Sequence, residues 1–190
     1  MTIETLVSRL AEYLRTSEQQ LRCFDQYESQ VEGWFKGELI YFLDREKREG
    51  RLHDFGREKS AGNEGNGRID IKLQFDKSSP FSRVELKHWI KTQNNTNWYR
   101  NYWYFTTANH PTCVKPDVEK LLKIRGDGAK FMLVLCTDNP GSEDWNSGVQ
   151  KFNNKFSQNL QCSLNSLTNP DDYPDYFFLG LLHVSEGGRN

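Results

Sequence analysis

Two stretches of the chain alternate apolar and polar residues, which is the pattern of a β-strand with one face against a core. In GRIDIKLQF, residues 67–75, Ile69, Ile71 and Leu73 alternate with Asp70. Because successive side chains in a strand point to opposite faces, we expect Asp70 on the face away from the core. This segment is therefore predicted to be a half-buried strand.

The second stretch is RVELKHWI, residues 83–90, in which Val84 takes one face while Glu85 and Lys87 take the other. The link between the two stretches, DKSSPF, contains Ser-Ser-Pro and is typical of a hairpin loop. If the two strands pair antiparallel, the side chains of Asp70, Glu85 and Lys87 converge on one point.

Apolar residues at helical spacing predict several helices, and continuous apolar runs predict interior strands that are covered on both faces. Helices are expected in six segments: Ile3 to Leu14, a second helix that starts at a Ser17–Gln20 capping box, Val31 to Phe42, Trp98 to Trp103, Pro116 to Ile124 and Val149 to Leu160. The interior strands are FMLVLCT, residues 131–137, and YFFLGLLHV, residues 176–184. Strands and helices alternate, which predicts an α/β or α+β fold with a central mixed sheet flanked by helices.

The chain has 190 residues, of which 36% are hydrophobic and 13% aromatic, enough to bury a substantial core in a single domain. Within it we distinguish an N-terminal helical segment (1–30), a core that carries the candidate chemistry (31–135) and a C-terminal scaffold (136–190). No apolar segment is long enough to cross a bilayer, and the N-terminus is a charged amphipathic helix rather than a secretion signal. We therefore expect no membrane partner and a cytoplasmic location.

The convergence of Asp70 and Glu85 has a chemical consequence, because two nearby carboxylates repel each other unless a cation lies between them. Hard oxygen ligands of this kind suit Mg²⁺. A third acid, Glu38, lies on the apolar stripe of the helix from Val31 to Phe42. Burial of a carboxylate is costly unless it is compensated, so Glu38 requires a partner, which could be a metal ion, an Arg or Lys, or water at the edge of the stripe.

The order of these residues, Glu38 on a helix, then Asp70, then Glu85-x-Lys87 on the following strand, resembles the PD-(D/E)XK nuclease superfamily, also called restriction-endonuclease-like. The resemblance covers residues 31–90. It implies a restriction-endonuclease-like core and a metal-dependent endonuclease that hydrolyses phosphodiester bonds of DNA, of the restriction, repair or mobile-element kind, with RNA left open as a substrate. Because restriction enzymes and many relatives cut both strands as dimers, it also implies a homodimer.

The same resemblance implies a role for each site residue. Asp70 and Glu85 would hold Mg²⁺ or Mn²⁺, and Lys87 would position or activate the attacking water. Glu38 would hold a second ion or a metal-bound water. The residue before Asp70 is Ile69, where the motif that names the superfamily has proline.

The chain after Lys87 is rich in basic, aromatic and amide side chains, which suit contact with a nucleic acid. The candidates in this region are Lys91, Gln93 and Arg100, and Arg68, in the glycine-rich connection before the first strand, is another. Aromatic residues at helical spacing also fit ordinary core packing, so both interpretations stay open for this region.

The formal net charge of −1 gives the chain no general affinity for a polyanion, so binding to nucleic acid requires an uneven distribution of charge. Residues 83–104 hold four basic residues against the single acid Glu85, namely Arg83, Lys87, Lys91 and Arg100. The basic excess therefore lies next to the candidate site, which is compatible with DNA binding on one surface.

Other catalytic chemistries are not indicated by the sequence. The four cysteines include no Cys-x-x-Cys pair, which disfavours a zinc site and a disulfide framework. The four histidines lack metalloprotease spacing, and the chain has neither a Gly-x-Ser-x-Gly elbow nor a glycine-rich phosphate loop. His88 is expected on the core side of its strand, as a structural histidine.

Two alternatives to catalysis stay open. The nuclease-like fold could serve, without turnover, as a nucleic-acid-binding or protein-interaction module. The charges could also be purely structural, with Lys87 paired to Asp70 or Glu85.

Overall fold

The computed structural model describes residues 1–27, 29, 31–57, 69–89, 114–137, 142–168 and 177–185. The helices in these ranges are α1 (Ile3–Arg15), α2 (Glu18–Gln26), α3 (Glu32–Arg48), α4 (Val114–Lys123) and α5 (Ser142–Phe156). The strands are β1 (Asp54–Gly56), β2 (Ile71–Gln74), β3 (Ser82–Trp89), β4 (Lys130–Cys136), β5 (Asn159–Ser166) and β6 (Phe178–Ser185). Among these helices, none combines the length and the apolar character that a membrane crossing requires.

The described strands form one mixed sheet in the order β1-β2-β3-β4-β6-β5. β3 and β4 are parallel at its centre, and every other neighbouring pair is antiparallel. The predicted hairpin is present, with Ile71 opposite Val84 and Leu73 opposite Ser82. The prediction of an α+β fold with a central mixed sheet between helices is confirmed.

Each face of the sheet is covered by its own hydrophobic core. On one side, which we call the α1/α3 face, Leu10 and Phe35 pack in one cluster with Val84. On the other side, the α4/α5 face, Val118 and Trp145 pack in a second cluster with Met132 and Val134 of β4, whereas Leu133 lies in the first cluster. Because both faces are covered, the central strands are apolar on both sides, as the runs at 131–137 and 176–184 predict.

The first strand of the hairpin is shorter than its sequence pattern predicts. Ile71 and Leu73 lie in the core of the α1/α3 face, but Ile69 lies in the core of the α4/α5 face. The chain bends at Asp70, so alternation between the two faces holds only from Ile71 onward. The predicted alternation is confirmed for the residues of β2 and is wrong for Ile69. Hydrophobic periodicity does not reveal a bend in the chain that depends on contacts with another strand.

The pattern does not predict the two edge strands, β1 and β5. β1 has only 3 residues, too few to show an alternation. Leu160 lies in β5 and not in the amphipathic helix, which ends at Phe156. Ser17 is the N-cap residue of α2, but its side chain makes no capping hydrogen bond, so the helix is confirmed and the capping box is not formed.

A buried ionic group, which we call the Glu46 clamp, connects α1, α3 and the segment that follows α3. Glu46 is 0% exposed, and both of its carboxylate oxygens accept hydrogen bonds from the guanidinium groups of Arg9 and Arg51, at 2.7 to 3.0 Å. The hydrogen bonds from Arg51 outweigh the effect of burial and, with those from Arg9, lower the pKa of Glu46 to about 2. The carboxylate is therefore stable as an anion inside the protein.

Candidate functional site

The candidate site lies on the α4/α5 face of the β2–β3 hairpin. Glu85 projects to this face because it alternates with Val84 and Leu86, which lie in the opposite core. The antiparallel register pairs Ile71 with Val84, and Asp70, just before Ile71, accepts a hydrogen bond from the backbone N–H of Leu86, the residue after Glu85. Asp70 and Glu85 therefore lie near each other at this end of the hairpin, and the charge of Asp70 helps to raise the pKa of Glu85.

Asp70 is held by both the hairpin partner strand and helix α3. Its Oδ2 accepts a hydrogen bond from the backbone N–H of Leu86 at 3.1 Å, and its Oδ1 accepts one from Nζ of Lys36. Burial favours a higher pKa for Asp70, but the hydrogen bonds from Lys36 and Leu86 outweigh it and leave the pKa below its ordinary value. Asp70 is therefore an anion at neutral pH.

Glu85 has a different electrostatic environment although it lies next to Asp70. Its side chain is 3% exposed, and its Oε2 accepts a hydrogen bond from Nζ of Lys120 at 2.6 Å. Burial raises the pKa of Glu85 to about 7, with Asp70 and Asp117 adding to the effect and Lys120 opposing it. Its Oε1 is buried and has no hydrogen-bond partner among the described residues. One carboxylate oxygen of Glu85 is thus available for a further ligand.

Lys87 follows on the same face of β3 and is paired with helix α4. Its side chain is 8% exposed, and its Nζ donates a hydrogen bond to Oδ2 of Asp117 at 2.6 Å. Asp117 and Lys120, three residues apart on α4, project toward the sheet together, with 3.8 Å between Lys120 Nζ and Asp117 Oδ1. The structure therefore adds two site residues, Asp117 and Lys120, from a helix far along the chain.

The acid that α3 contributes near this cluster is Glu32, whereas Glu38 has a different partner. Glu32 and Lys36 are one helical turn apart, and Lys36 reaches Asp70. Glu38 is two residues beyond Lys36, or about 200° around the helix, so it projects to another side. Its Oε2 accepts a hydrogen bond from the hydroxyl of Tyr13 at 2.5 Å. The partner that the sequence analysis requires for Glu38 is thus a tyrosine of α1.

The electrostatics of Glu32 show that it faces the cluster. Partial removal from water raises the pKa of Glu32 above its ordinary value; the negative charges of Asp70 and Asp117 act in the same direction, and Lys87 and Lys36 oppose them. In the sequence, helical phase distinguishes the two acids: Glu32 lies three residues before Phe35 and four before Lys36, whereas Glu38 lies four residues after Trp34.

The predicted nucleic-acid contacts Arg68, Lys91, Gln93 and Arg100 lie outside the residues that the structure describes. So does the predicted helix from Trp98 to Trp103. They stay predictions.

His88 lies at the end of β3 and makes hydrogen bonds through both ring nitrogens. Its Nδ1 accepts from the backbone N–H of Val31 at 3.5 Å, and its Nε2 lies 2.8 Å from Oγ1 of Thr137. Burial lowers the pKa of His88 to about 4, so the ring is neutral at pH 7. The expectation of a satisfied structural histidine is confirmed.

The carboxylate oxygens of Asp70 and Glu85 suit a small, hard divalent cation better than a metal that requires three or four protein ligands. Among the described residues, no three His, Cys, Asp or Glu side chains are grouped as metal ligands. Mg²⁺ is commonly bound by only one or two carboxylates, with water and substrate phosphate completing its shell. Asp70 and Glu85 supply that number, and the unpartnered Oε1 of Glu85 is a hard oxygen donor. The residues present therefore fit Mg²⁺ or Mn²⁺.

Comparisons of the chain with protein-family models, with curated proteins and with solved structures each gave no match.

Proposed function

We propose that this protein is a metal-dependent phosphodiesterase of the PD-(D/E)XK kind that acts as a DNA endonuclease. The observation that carries the proposal is Glu85, a buried carboxylate with one oxygen lacking a donor, near Asp70 and two residues from Lys87. Charged and acceptor groups are rarely buried without full compensation, because an unmet buried acceptor costs about 1–3 kcal/mol. An apolar side chain in this position would avoid that cost, so the carboxylate is better explained by function than by stability.

Asp70 and Glu85 would hold the cation, which would supply Lewis-acid stabilisation of negative charge on a phosphodiester. Lys87, oriented by Asp117 at 2.6 Å, would face the reacting phosphate and stabilise its developing charge. Glu32 takes the place that the sequence analysis gives to Glu38, as the acid that a helix contributes to the site.

The net charge of the cluster also suits this function. The cluster contains four carboxylates, those of Glu32, Asp70, Glu85 and Asp117. It contains three ammonium groups, those of Lys36, Lys87 and Lys120. A divalent cation would change one excess negative charge into one excess positive charge. A singly charged phosphodiester would then be attracted to a site that otherwise repels it.

The direct test is cleavage of plasmid and of labelled single-stranded DNA by purified protein, with Mg²⁺, with Mn²⁺ and with EDTA. We expect cleavage that depends on the metal and that disappears in Asp70→Ala and Lys87→Ala, with rates compared at equal concentrations of folded protein. The matched control is Arg22→Gln, which removes a partly exposed charge on α2, where Arg22 pairs with Glu18. Absence of cleavage under every condition, or full cleavage by the site variants, would overturn the proposal.

A second candidate function is a nuclease-like module that binds without turnover. The observation in its favour is that Asp70, Glu85 and Lys87 each already have an oppositely charged partner in the absence of a metal. Calorimetric titration with Mn²⁺ separates the two functions. Binding that is lost in Asp70→Asn and Glu85→Gln supports the enzyme, and no binding supports the module.

A further inference from the structure

Three cationic side chains lie side by side on the face of the sheet that carries Glu85. Lys72 of β2 is opposite Arg83 of β3, and Arg83 is paired in register with Lys130 of β4. Arg83 alternates with Val84, and Lys130 alternates with Phe131, both of which lie in the opposite core. The three cations, which we call the cationic row, therefore share the α4/α5 face.

The cationic row lies two residues from the carboxylate of Glu85 along β3. Arg83 precedes Glu85 by two residues on β3, and Lys72 is the second residue of β2, which begins just after Asp70. Two residues of a strand advance about 7 Å, so along β3 the cationic row lies at about that distance from Glu85. This separation is comparable to the spacing of successive phosphates along one nucleic-acid strand.

The two lysines of the row differ from the lysines of the candidate site in their partners. Lys36, Lys87 and Lys120 each pair with a carboxylate. Within the part of the chain that the structure describes, Lys72 and Lys130 have no ion pair. Lys72 instead lies 4.8 Å from the ring centroid of Phe81, and Lys130 donates to the carbonyl of Leu122 at 3.4 Å.

The surroundings of the row hold its side chains in place. The aliphatic part of Lys72 crosses Gly56 of β1, where a Cβ would come within 3.2 Å of Lys72 Cε. The carbonyl of Phe81 accepts a hydrogen bond from Arg83. The same carbonyl approaches Gly128 so closely that a Cβ there would lie 1.8 Å from the oxygen. Less conformational entropy is lost on binding when cations are already ordered in this way.

We propose that the cationic row binds the phosphate next to the one held at the Asp70–Glu85 pair, so that one strand of the nucleic-acid backbone runs along β3. The ligand is the phosphodiester backbone and not the bases, so the row contributes affinity without sequence preference. This inference rests on the proposed function for its second phosphate, while the binding of backbone by the row can be measured without cleavage.

The test is the binding of a fluorescein-labelled DNA duplex in EDTA, followed by anisotropy between about 50 and 200 mM salt. We expect Lys72→Gln, Arg83→Gln and Lys130→Gln each to weaken binding and to reduce the slope of log K against log salt by about 0.9 per lost phosphate contact. Arg22→Gln, which removes an equal charge from α2, should leave the affinity and the slope unchanged. In Mg²⁺, the three variants should raise KM more than they lower kcat.

The two proposals can fail separately. If the wild type binds through the row but does not cut in any metal, the proposed function is wrong and the row stands as a backbone-binding surface. If the wild type cuts and the row variants keep the wild-type salt slope, the cationic row is wrong and the nuclease stands. Should Arg83→Gln fail to fold, as judged by circular dichroism, Lys72→Gln and Lys130→Gln decide the outcome, since both side chains are partly exposed.

Discussion

Two buried glutamates of this protein have opposite electrostatic environments. Glu46 is 0% exposed and Glu85 is 3% exposed, so burial alone does not distinguish them. Both oxygens of Glu46 accept hydrogen bonds from Arg9 and Arg51, and the pKa of Glu46 falls to about 2. Only one oxygen of Glu85 accepts from the described residues, from Lys120, and the pKa of Glu85 rises to about 7.

The difference lies in how completely each carboxylate is compensated. Two guanidinium groups, each with two parallel N–H donors, match the geometry of Glu46 and satisfy it fully. A single ammonium group leaves Glu85 with spare capacity to bind a cation or a proton. Full compensation is what a structural role requires, and incomplete compensation is typical of sites that bind or react.

The largest expected effect is on catalysis. Glu85→Gln and Asp70→Asn should each lower Mg²⁺-dependent DNA cleavage by at least about a hundredfold, because they remove the oxygen charge that holds the cation. Glu46→Gln should leave the rate per folded molecule unchanged. Plasmid-nicking rates normalised to the folded fraction measure this contrast, and a Glu85→Gln protein that cuts at the wild-type rate would contradict it.

The second expected effect is on the free energy of unfolding, and it concerns Glu46 rather than Glu85. Glu46→Gln should lower the free energy of unfolding by about 2–4 kcal/mol, because it removes charge-assisted hydrogen bonds from a buried site. Glu49→Gln is the matched control, since Glu49 pairs with the same Arg51 at the surface and should cost no more than about 1 kcal/mol. Urea denaturation of both variants gives the comparison. Equal losses in the two would show that burial of Glu46 contributes nothing.

The third effect is the pH dependence that Glu85 should add to the free energy of unfolding near neutral pH. Its pKa is raised to about 7 in the folded protein, so the folded state binds more protons than the unfolded state from about pH 4.5 to 7. Its contribution to stability is therefore fully present below that range and is lost as the pH rises through 7. In EDTA, wild type should lose on the order of 1–3 kcal/mol relative to Glu85→Gln between pH 5 and 8. A difference that does not change with pH would refute the raised pKa.

The smallest effect separates Glu32 from Glu38, two of the acids of α3. Glu32→Gln should reduce cleavage by about tenfold, the equivalent of about 1.4 kcal/mol of transition-state stabilisation, because Glu32 faces the charged cluster. Glu38→Gln should change cleavage by less than about twofold, because Glu38 contacts Tyr13 instead. Steady-state kinetics of the two variants decide between the two acids, and the reverse result would restore the assignment made from the sequence.

The sequence predicts what depends on local periodicity. Alternation predicts β2 and β3, and helical spacing predicts α3 with Phe35 and Leu39 buried. Continuous apolar runs predict β4 and β6. Each of these signals comes from burial of neighbouring side chains, which leaves its mark within a few residues.

The remaining features depend on contacts between distant parts of the chain. Arg9 is 37 residues from Glu46, and Lys120 is 35 residues from Glu85. For these two long-range pairs, nothing near the glutamate in the sequence indicates the partner, although Arg51, the second partner of Glu46, is only five residues away. Glu38 illustrates the same limit, because its position on an apolar stripe predicts a partner but not that the partner is a tyrosine of another helix.

The neutral imidazole at the end of β3 also limits the conditions under which the protein can function. His88 accepts the backbone N–H of Val31 only while it is unprotonated, and its contact with Thr137 ties the same ring to the end of β4. Since the pKa of His88 is lowered to about 4, acid must charge a ring that the fold keeps uncharged. Protonation would then remove the hydrogen bond that joins Val31, at the start of α3, to the end of β3. Acid would therefore loosen this joint between α3 and the sheet only at a pH where Glu85, with a pKa of about 7, is already protonated.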